Sequence, residues 1–453
     1  MKSPTARANY RLNRGGSKAK FHLGQQTNKL LAEVVLPEQL VTLHPRTSKR
    51  TQPRKCRLTY LLRAAPLLAV FACGPGSSYT RLPAASETRR LLRSVDPEKE
   101  LLIRDLSVVE DPARTLDPCE EPSGSPGAWT FAAQMTRVAR QAGWEDPSAF
   151  VLQWLRSWEQ DQQLNGFLVP GRPRMEGALI TPWLQASGGD SLDLARAPFR
   201  LLAIVNRMDL RASEDGMPVD AGEARFLYSA MDGNCRASGF SVAFEYKLAA
   251  GSTEEVVAWA QRWHQLGNLE FGPDFNDALQ QITDDLDGQL ADIRTNEILV
   301  NFFDWELRAF TVGDGNLQLS TLNQTPDGSL QGSPELASYI NEHQDEILAG
   351  THQVPQQMLG GYSTLSYFWN PPGIADPFET RHKFALASCN GCHFAETATQ
   401  FVHVLPRGQH EPAALSNYLS GENMPVLDGL SQPRWFNELG ARADGLLQLL
   451  GEQ

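Results

Sequence analysis

The sequence lacks the short motifs of the common catalytic machines. It has no G-x-S-x-G, no H-E-x-x-H, no Walker loop and no G-x-G-x-x-G. A hydrolase elbow, a zincin helix, a P-loop and a dinucleotide fold therefore have no local support. It carries no internal repeat, which argues against a repeat architecture. Asp284, Asp285 and Asp287 cluster, but without Glu or Gly at the EF-hand offsets they read as a solvated helix end rather than a calcium loop. Basic residues are scarce beyond position 72: residues 73–453 hold 27 Lys/Arg against 51 Asp/Glu, a net −24. So acidic a body argues against nucleic acid as a partner. Cysteine is scarce too, at six in 453 residues. The composition, 41% hydrophobic and 21% charged, is that of a globular protein with a substantial core.

Residues 1–72 invert the charge, with 14 Lys/Arg and 2 Asp/Glu. Arg46, Lys49, Arg50, Arg54, Lys55, Arg57 and Arg63 form a basic region before the short apolar run Ala64–Ala72. That run is too short to span a bilayer and reads as a signal peptide. Val70-Phe71-Ala72-Cys73-Gly74 then resembles a bacterial lipobox, although Phe71 is larger than the residue usual there. Lipidation of Cys73 would anchor the protein at a membrane surface without a transmembrane helix. Residues 1–45 are polar and basic, without hydrophobic periodicity. They read as an over-called start, or else as a disordered basic arm. A Ser-, Gly- and Pro-containing tether occupies 73–99.

Cys389-Asn390-Gly391-Cys392-His393 organises the rest of the chain. C-x-x-C-H is the attachment pattern of haem c. Two thiols three positions apart can form thioethers to one haem, and the adjacent His can ligate the iron. Two other readings compete. Cys389 and Cys392 could bind zinc with His403 and His410, at spacings slightly outside the usual finger range. A C-x-x-C redox pair would need a thioredoxin-like βαβ context, which the flanking sequence does not offer. Export and haem attachment are mutually consistent, because apocytochromes receive haem outside the bacterial cytoplasm. Cys119 and Cys235 could pair there as a disulfide, or remain two buried thiols.

The periodicities of 100–380 predict an α+β domain with a largely antiparallel sheet and flanking helices. Helices are expected over 127–142, 147–163, 253–264, 276–290 and 335–348. Strands are expected over 198–210, 223–231, 240–248, 293–303, 305–312 and 317–322, with Gly313-Asp314-Gly315-Asn316 as a hairpin turn. Charged residues punctuate these strands: Arg207, Asp209, Arg211, Glu223, Arg225, Glu245, Arg294, Glu297, Glu306 and Arg308. They read as a half-buried ion network, or as the lining of a polar cleft with Trp263, Trp305 and His264. A carboxylate pair such as Glu245 with Glu306 would need both acids in one cleft.

Residues 381–453 are too few for a free-standing haem domain, so this mostly helical segment is expected to pack on the body. Phe384–Ser388 leads into the motif as a short helix, and a last helix is expected over 435–450. Met424-Pro425 is a candidate source of the second axial ligand, with His403 or an open site as alternatives. On these residues the C-terminal segment resembles a monohaem c-type cytochrome. The chain also resembles a family of exported bacterial proteins carrying Phe-Ala-Leu, Cys-Asn-Gly-Cys-His and a downstream Glu-Thr and His. The resemblance implies one covalent haem c held by Cys389, Cys392 and His393, with iron ligated by His393 and Met424. It also implies electron transfer to a redox partner protein at the bacterial cell envelope. An envelope ligand-binding module stapled by zinc or a disulfide, and a peroxidase-like haem enzyme, remain the alternatives.

Overall fold

An antiparallel sheet carries the fold. The computed structural model describes residues 94–121, 126–214, 217–298, 305–364, 368–421 and 425–451. The leader, Cys73 and Met424 lie outside the described residues. All described residues belong to one unit, within 83–453. The strands are β1 (Leu102–Ile103), β2 (Phe199–Arg207), β3 (Asp220–Met231), β4 (Ala237–Ala249), β5 (Leu290–Ile298), β6 (Trp305–Gly313), β7 (Asn316–Ser320) and β8 (Tyr362–Thr364). β1 to β7 pair in sequence order and every pairing is antiparallel, while β8 joins β6 beyond the end of β7. The β6–β7 turn places Asp314 at φ 48° and Gly315 at φ 77°. Positive φ at both central residues is what a tight hairpin needs.

One face of the sheet is apolar. Phe226, Phe244 and Ile293 project from it and are fully buried. Helices α1 (Phe131–Gln141), α2 (Pro147–Ser157), α3 (Thr253–Leu266) and α4 (Pro273–Asp284) contribute to the same core. α1 begins where the Thr130 side chain accepts the N–H of Ala133, and α2 where Asp146 accepts those of Ser148 and Ala149, ahead of Pro147. Each cap satisfies an orphan N–H, worth about 1 kcal/mol. Large rings such as Trp154 and Trp263 dominate the core, at roughly 1.5–3 kcal/mol per buried large apolar side chain.

Three sequence-based expectations are corrected. α2 ends at Ser157, and Gln162–Leu164 and Phe167–Val169 form a small hairpin instead. The cause is Asn165-Gly166, both at positive φ (52° and 83°), a strong two-residue hairpin signal. The helix expected over 335–348 is broken at His343 into Pro334–Glu342 and Gln344–Ala349. The C-terminal stretch is not mostly helical: between 396 and 437 the described residues hold one short helix, Asn417–Ser420. Pro406, Pro412, Pro425 and Pro433 interrupt helical hydrogen bonding there. Helices do bound that stretch, as α5 (Glu379–Ala387) and α6 (Glu438–Gly451).

The second face of the sheet is covered by this C-terminal stretch. Val404, Ala413 and Leu419 pack on Leu102, Leu202, Ala203 and Val205. Cys389 packs with Trp305, Leu307 and Ala309. Among the described residues no helix is long and apolar enough to cross a membrane.

Candidate functional site

The charged strand residues divide between the two faces. Glu297, Glu306 and Arg308 lie on the helix side with Arg172 and Arg174. There Arg172 Nε contacts Glu297 at 2.9 Å and its Nη1 contacts Glu306 at 3.0 Å. Arg308 also stacks over Trp158. This is the buried ion network. Glu245 lies across from Asp292, whereas Glu306 lies across from Glu297. Positions 292 and 297 differ by an odd number, so Glu245 and Glu306 face opposite sides of the sheet and cannot act as a catalytic pair. Trp263 belongs to the helical core and His264 contacts Glu100, so neither lines a cleft with Trp305.

The other face holds a cavity of about 820 Å³ between the sheet and the C-terminal stretch. Arg207, Glu223, Arg225, Glu245 and Arg294 line it from the strands; Cys389, Cys392, His393 and His403 line it from the other wall. The motif and the polar strand residues, far apart in sequence, therefore share one chamber. Its volume is in the range of small-molecule and cofactor sites.

Local chemistry fixes the motif. Cys389 follows α5, and its N–H donates to Thr325 Oγ1 at 2.9 Å. Trp369 Nε1 donates to Ser388 Oγ and Asn390 Oδ1, both at 2.8 Å. Gly391 passes so close to the Ala385 carbonyl that any Cβ would collide with it. Glycine between the two cysteines is thus a steric requirement.

His393 is clamped by Phe401. Its Nδ1 donates to the Phe401 carbonyl at 2.7 Å, and the Phe401 N–H returns a bond to the His393 carbonyl at 3.1 Å. Phe401 sits at φ 70° and Ala398 at φ 51°, a cost that tight turns and functional loops bear. Burial lowers the His393 pKa to about 4, only partly offset by the Phe401 bond. A neutral ring with its proton on Nδ1 leaves the Nε2 lone pair free, as metal ligation requires. Trp305 stacks on the same ring, centroids 5.9 Å apart. Burial raises the Cys389 thiol pKa and pushes that of Cys392 up to about 12, so both thiols are protonated. They are not joined to one another.

The four-ligand zinc set expected from the spacing is not brought together. His403 reaches the motif, with Nε2 3.3 Å from Cys392 Sγ and Nδ1 3.0 Å from Ser416 Oγ. His410 does not; it is exposed and contacts Glu110 at 2.9 Å. Among the described residues, one group of three His, Cys or carboxylate ligand atoms comes within 4.8 Å of one another, and it is His382, Glu396 and Asp428. Arg381 and Arg434 already neutralise those carboxylates. Cys389 and Cys392 would hold the haem covalently, and His393 would offer Nε2 to its iron. The expected second ligand, Met424, lies outside the described residues.

Sequence reasoning did not find Tyr418 and Arg442, which also line the cavity; as one aromatic and one helix charge they carry no motif. Cys119 and Cys235 form a disulfide. No family model, curated protein or solved structure matches this chain.

Proposed function

We propose that this chain is an exported monohaem c-type protein that transfers electrons at the bacterial cell envelope. One observation carries the reading: Cys389, Cys392 and His393 open onto a single cavity of about 820 Å³, and Phe401 holds His393 with Nε2 free. When bound, haem supplies a one-electron couple. The chain's residues orient the ligand, and Leu202, Val205, Leu227 and Leu307 supply apolar lining. Aromatic contacts support electron exchange. Trp305 stacks on His393, Phe401 on Trp305 at 6.1 Å and Phe394 on Phe401 at 5.9 Å. Phe394 is exposed, so this run reaches the surface, where a redox partner protein would dock. The Cys119–Cys235 disulfide suits an oxidising compartment. Lipidation of Cys73 and iron ligation by Met424 complete the proposal.

The test is a haem stain on a denaturing gel. The chain is expressed with a periplasmic cytochrome c maturation system and a secretion signal fused before residue 74. A stained band at the right mass supports the reading. A soluble, unstained band sinks it and favours a ligand-binding module.

A further inference from the structure

The cavity floor carries hydrogen-bond donors that the motif does not use. Arg294 is one of the lining residues. Its cross-strand neighbours are Ala243 on β4 and Ala309 on β6. Two small side chains beside a long one leave open space above the sheet. Arg294 Nε faces Glu245 Oε2 at 3.0 Å. Among the described residues, Arg294 Nε and both Glu245 carboxylate oxygens are buried without a hydrogen bond although the two groups form an ion pair, and no hydrogen bond engages either terminal amine of Arg294. Two positions along β5, on the same face, Asn296 also lines the cavity. Its Oδ1 accepts from Trp305 Nε1 at 3.1 Å, so its amide nitrogen points elsewhere. Ser241, directly across from Asn296, lines the cavity as well.

We propose that Arg294, Asn296 and Ser241 form a binding site for a small planar anion, a carboxylate or a trigonal oxyanion. The two terminal amines of a guanidinium present parallel donors matched to two coplanar oxygens. The Asn296 amide and the Ser241 hydroxyl add donors from the adjacent row. Glu245 contacts both Arg225, at 3.0 Å, and Arg294. Its ion pair with Arg294 runs through Nε rather than through the terminal amines, and Arg294 lines the cavity. Glu223 pairs with Arg225 and Lys247 instead. Glu245 and Glu223 thus each face a second cation, while Asp292, two positions before Arg294 on the same face, is the remaining carboxylate beside it. The site is built from strand residues alone and does not depend on haem attachment.

The test uses the full exported chain, scored first by haem stain, and a Cys389→Ser/Cys392→Ser variant that cannot attach haem. Sodium formate and sodium nitrate are titrated by calorimetry, with sodium chloride at matched ionic strength as the control. Saturable binding of both planar probes is expected in both proteins, with a rise in melting temperature. Arg294→Gln is expected to weaken binding by about tenfold or more, and Arg294→Lys by less, because the charge remains without the fork. Asn296→Ala and Ser241→Ala, which leave the Arg294–Glu245 pair intact, are expected to weaken it a few-fold. Failure of both probes to exceed chloride overturns the site, as does unchanged binding in Arg294→Gln and Asn296→Ala. Binding confined to the Cys389→Ser/Cys392→Ser variant also overturns it, because the donors would then belong to the haem carboxylates. An unstained wild type that binds formate refutes the haem reading and leaves the anion site standing.

Discussion

Arg381 on α5 and Glu396, just past the motif, form a two-pronged pair: Nη1–Oε1 is 2.6 Å and Nη2–Oε2 is 3.0 Å, with both side chains fully buried. The pair ties the helix before Cys389 to the turn after His393. Glu396 Oε2 also contacts His382 Nδ1 at 2.6 Å, but removing Arg381 takes away both of the guanidinium bonds to its buried carboxylate. Arg381→Met should therefore lower stability by roughly 3–5 kcal/mol, read from urea unfolding. The double variant Arg381→Met/Glu396→Leu should recover much of that loss. An unchanged single variant would show that the pair does not hold the motif.

Asp428 gives an acid-dependent contribution to stability. Burial raises its pKa, but the N–H groups of Gln432 and Leu430 and the Arg434 guanidinium outweigh this, so it lies below the ordinary 3.8. A carboxyl whose folded pKa is depressed adds stability above its unfolded pKa. That contribution is lost as pH falls through the folded value. Asp428→Asn should flatten the stability profile below about pH 4, by at most about 1.4 kcal/mol per pH unit. Melting temperatures across that range, for wild type and variant, check it.

Gly391→Ala tests the sterics of the motif. A methyl group aimed at the Ala385 carbonyl forces the backbone apart, at about 1–3 kcal/mol. The expected outcome is a lower melting temperature and weaker haem staining. Asn390→Ala, which leaves Gly391 in place, should retain more staining than Gly391→Ala.

Thiol counting separates the bonded from the free cysteines. Cys119 and Cys235 are paired across 116 positions, whereas Cys389 and Cys392 are free. In a chain expressed from residue 74, denatured without reductant, two thiols should titrate if no haem is attached and none if it is. Reduction should lower stability by roughly 2–5 kcal/mol, as expected for a long closed loop. Four titrating thiols would refute the disulfide.

On the proposed function, Cys389 and Cys392 would both hold the haem. Cys389→Ser/Cys392→Ser should abolish the stain and leave the circular dichroism of the sheet unchanged. Loss of the sheet signal would mean that these residues hold the fold rather than a cofactor.

Much of the architecture is legible in the chain because the physics involved is local. Alternating apolar residues mark β3 and β4, since side chains on a strand point to opposite faces. Asp314-Gly315 marks a hairpin; Asn165-Gly166 carries the same signal and explains why α2 stops early. The motif places two thiols and an imidazole of the candidate site within five residues, so they are together whatever the fold. What encloses the site was not legible. Ala243, Arg294 and Ala309 are neighbours only through strand register, and Glu245 and Glu306 are separated only by which face each strand turns. The C-terminal stretch completes the chamber through contacts hundreds of positions apart, such as Arg407 Nε to the Leu201 carbonyl at 2.9 Å. The sequence by itself determined most strands and helices around the sheet and placed two thiols and an imidazole together at Cys389–His393. Register and long-range packing, which no local pattern encodes, decided that this motif faces Arg294 across a cavity.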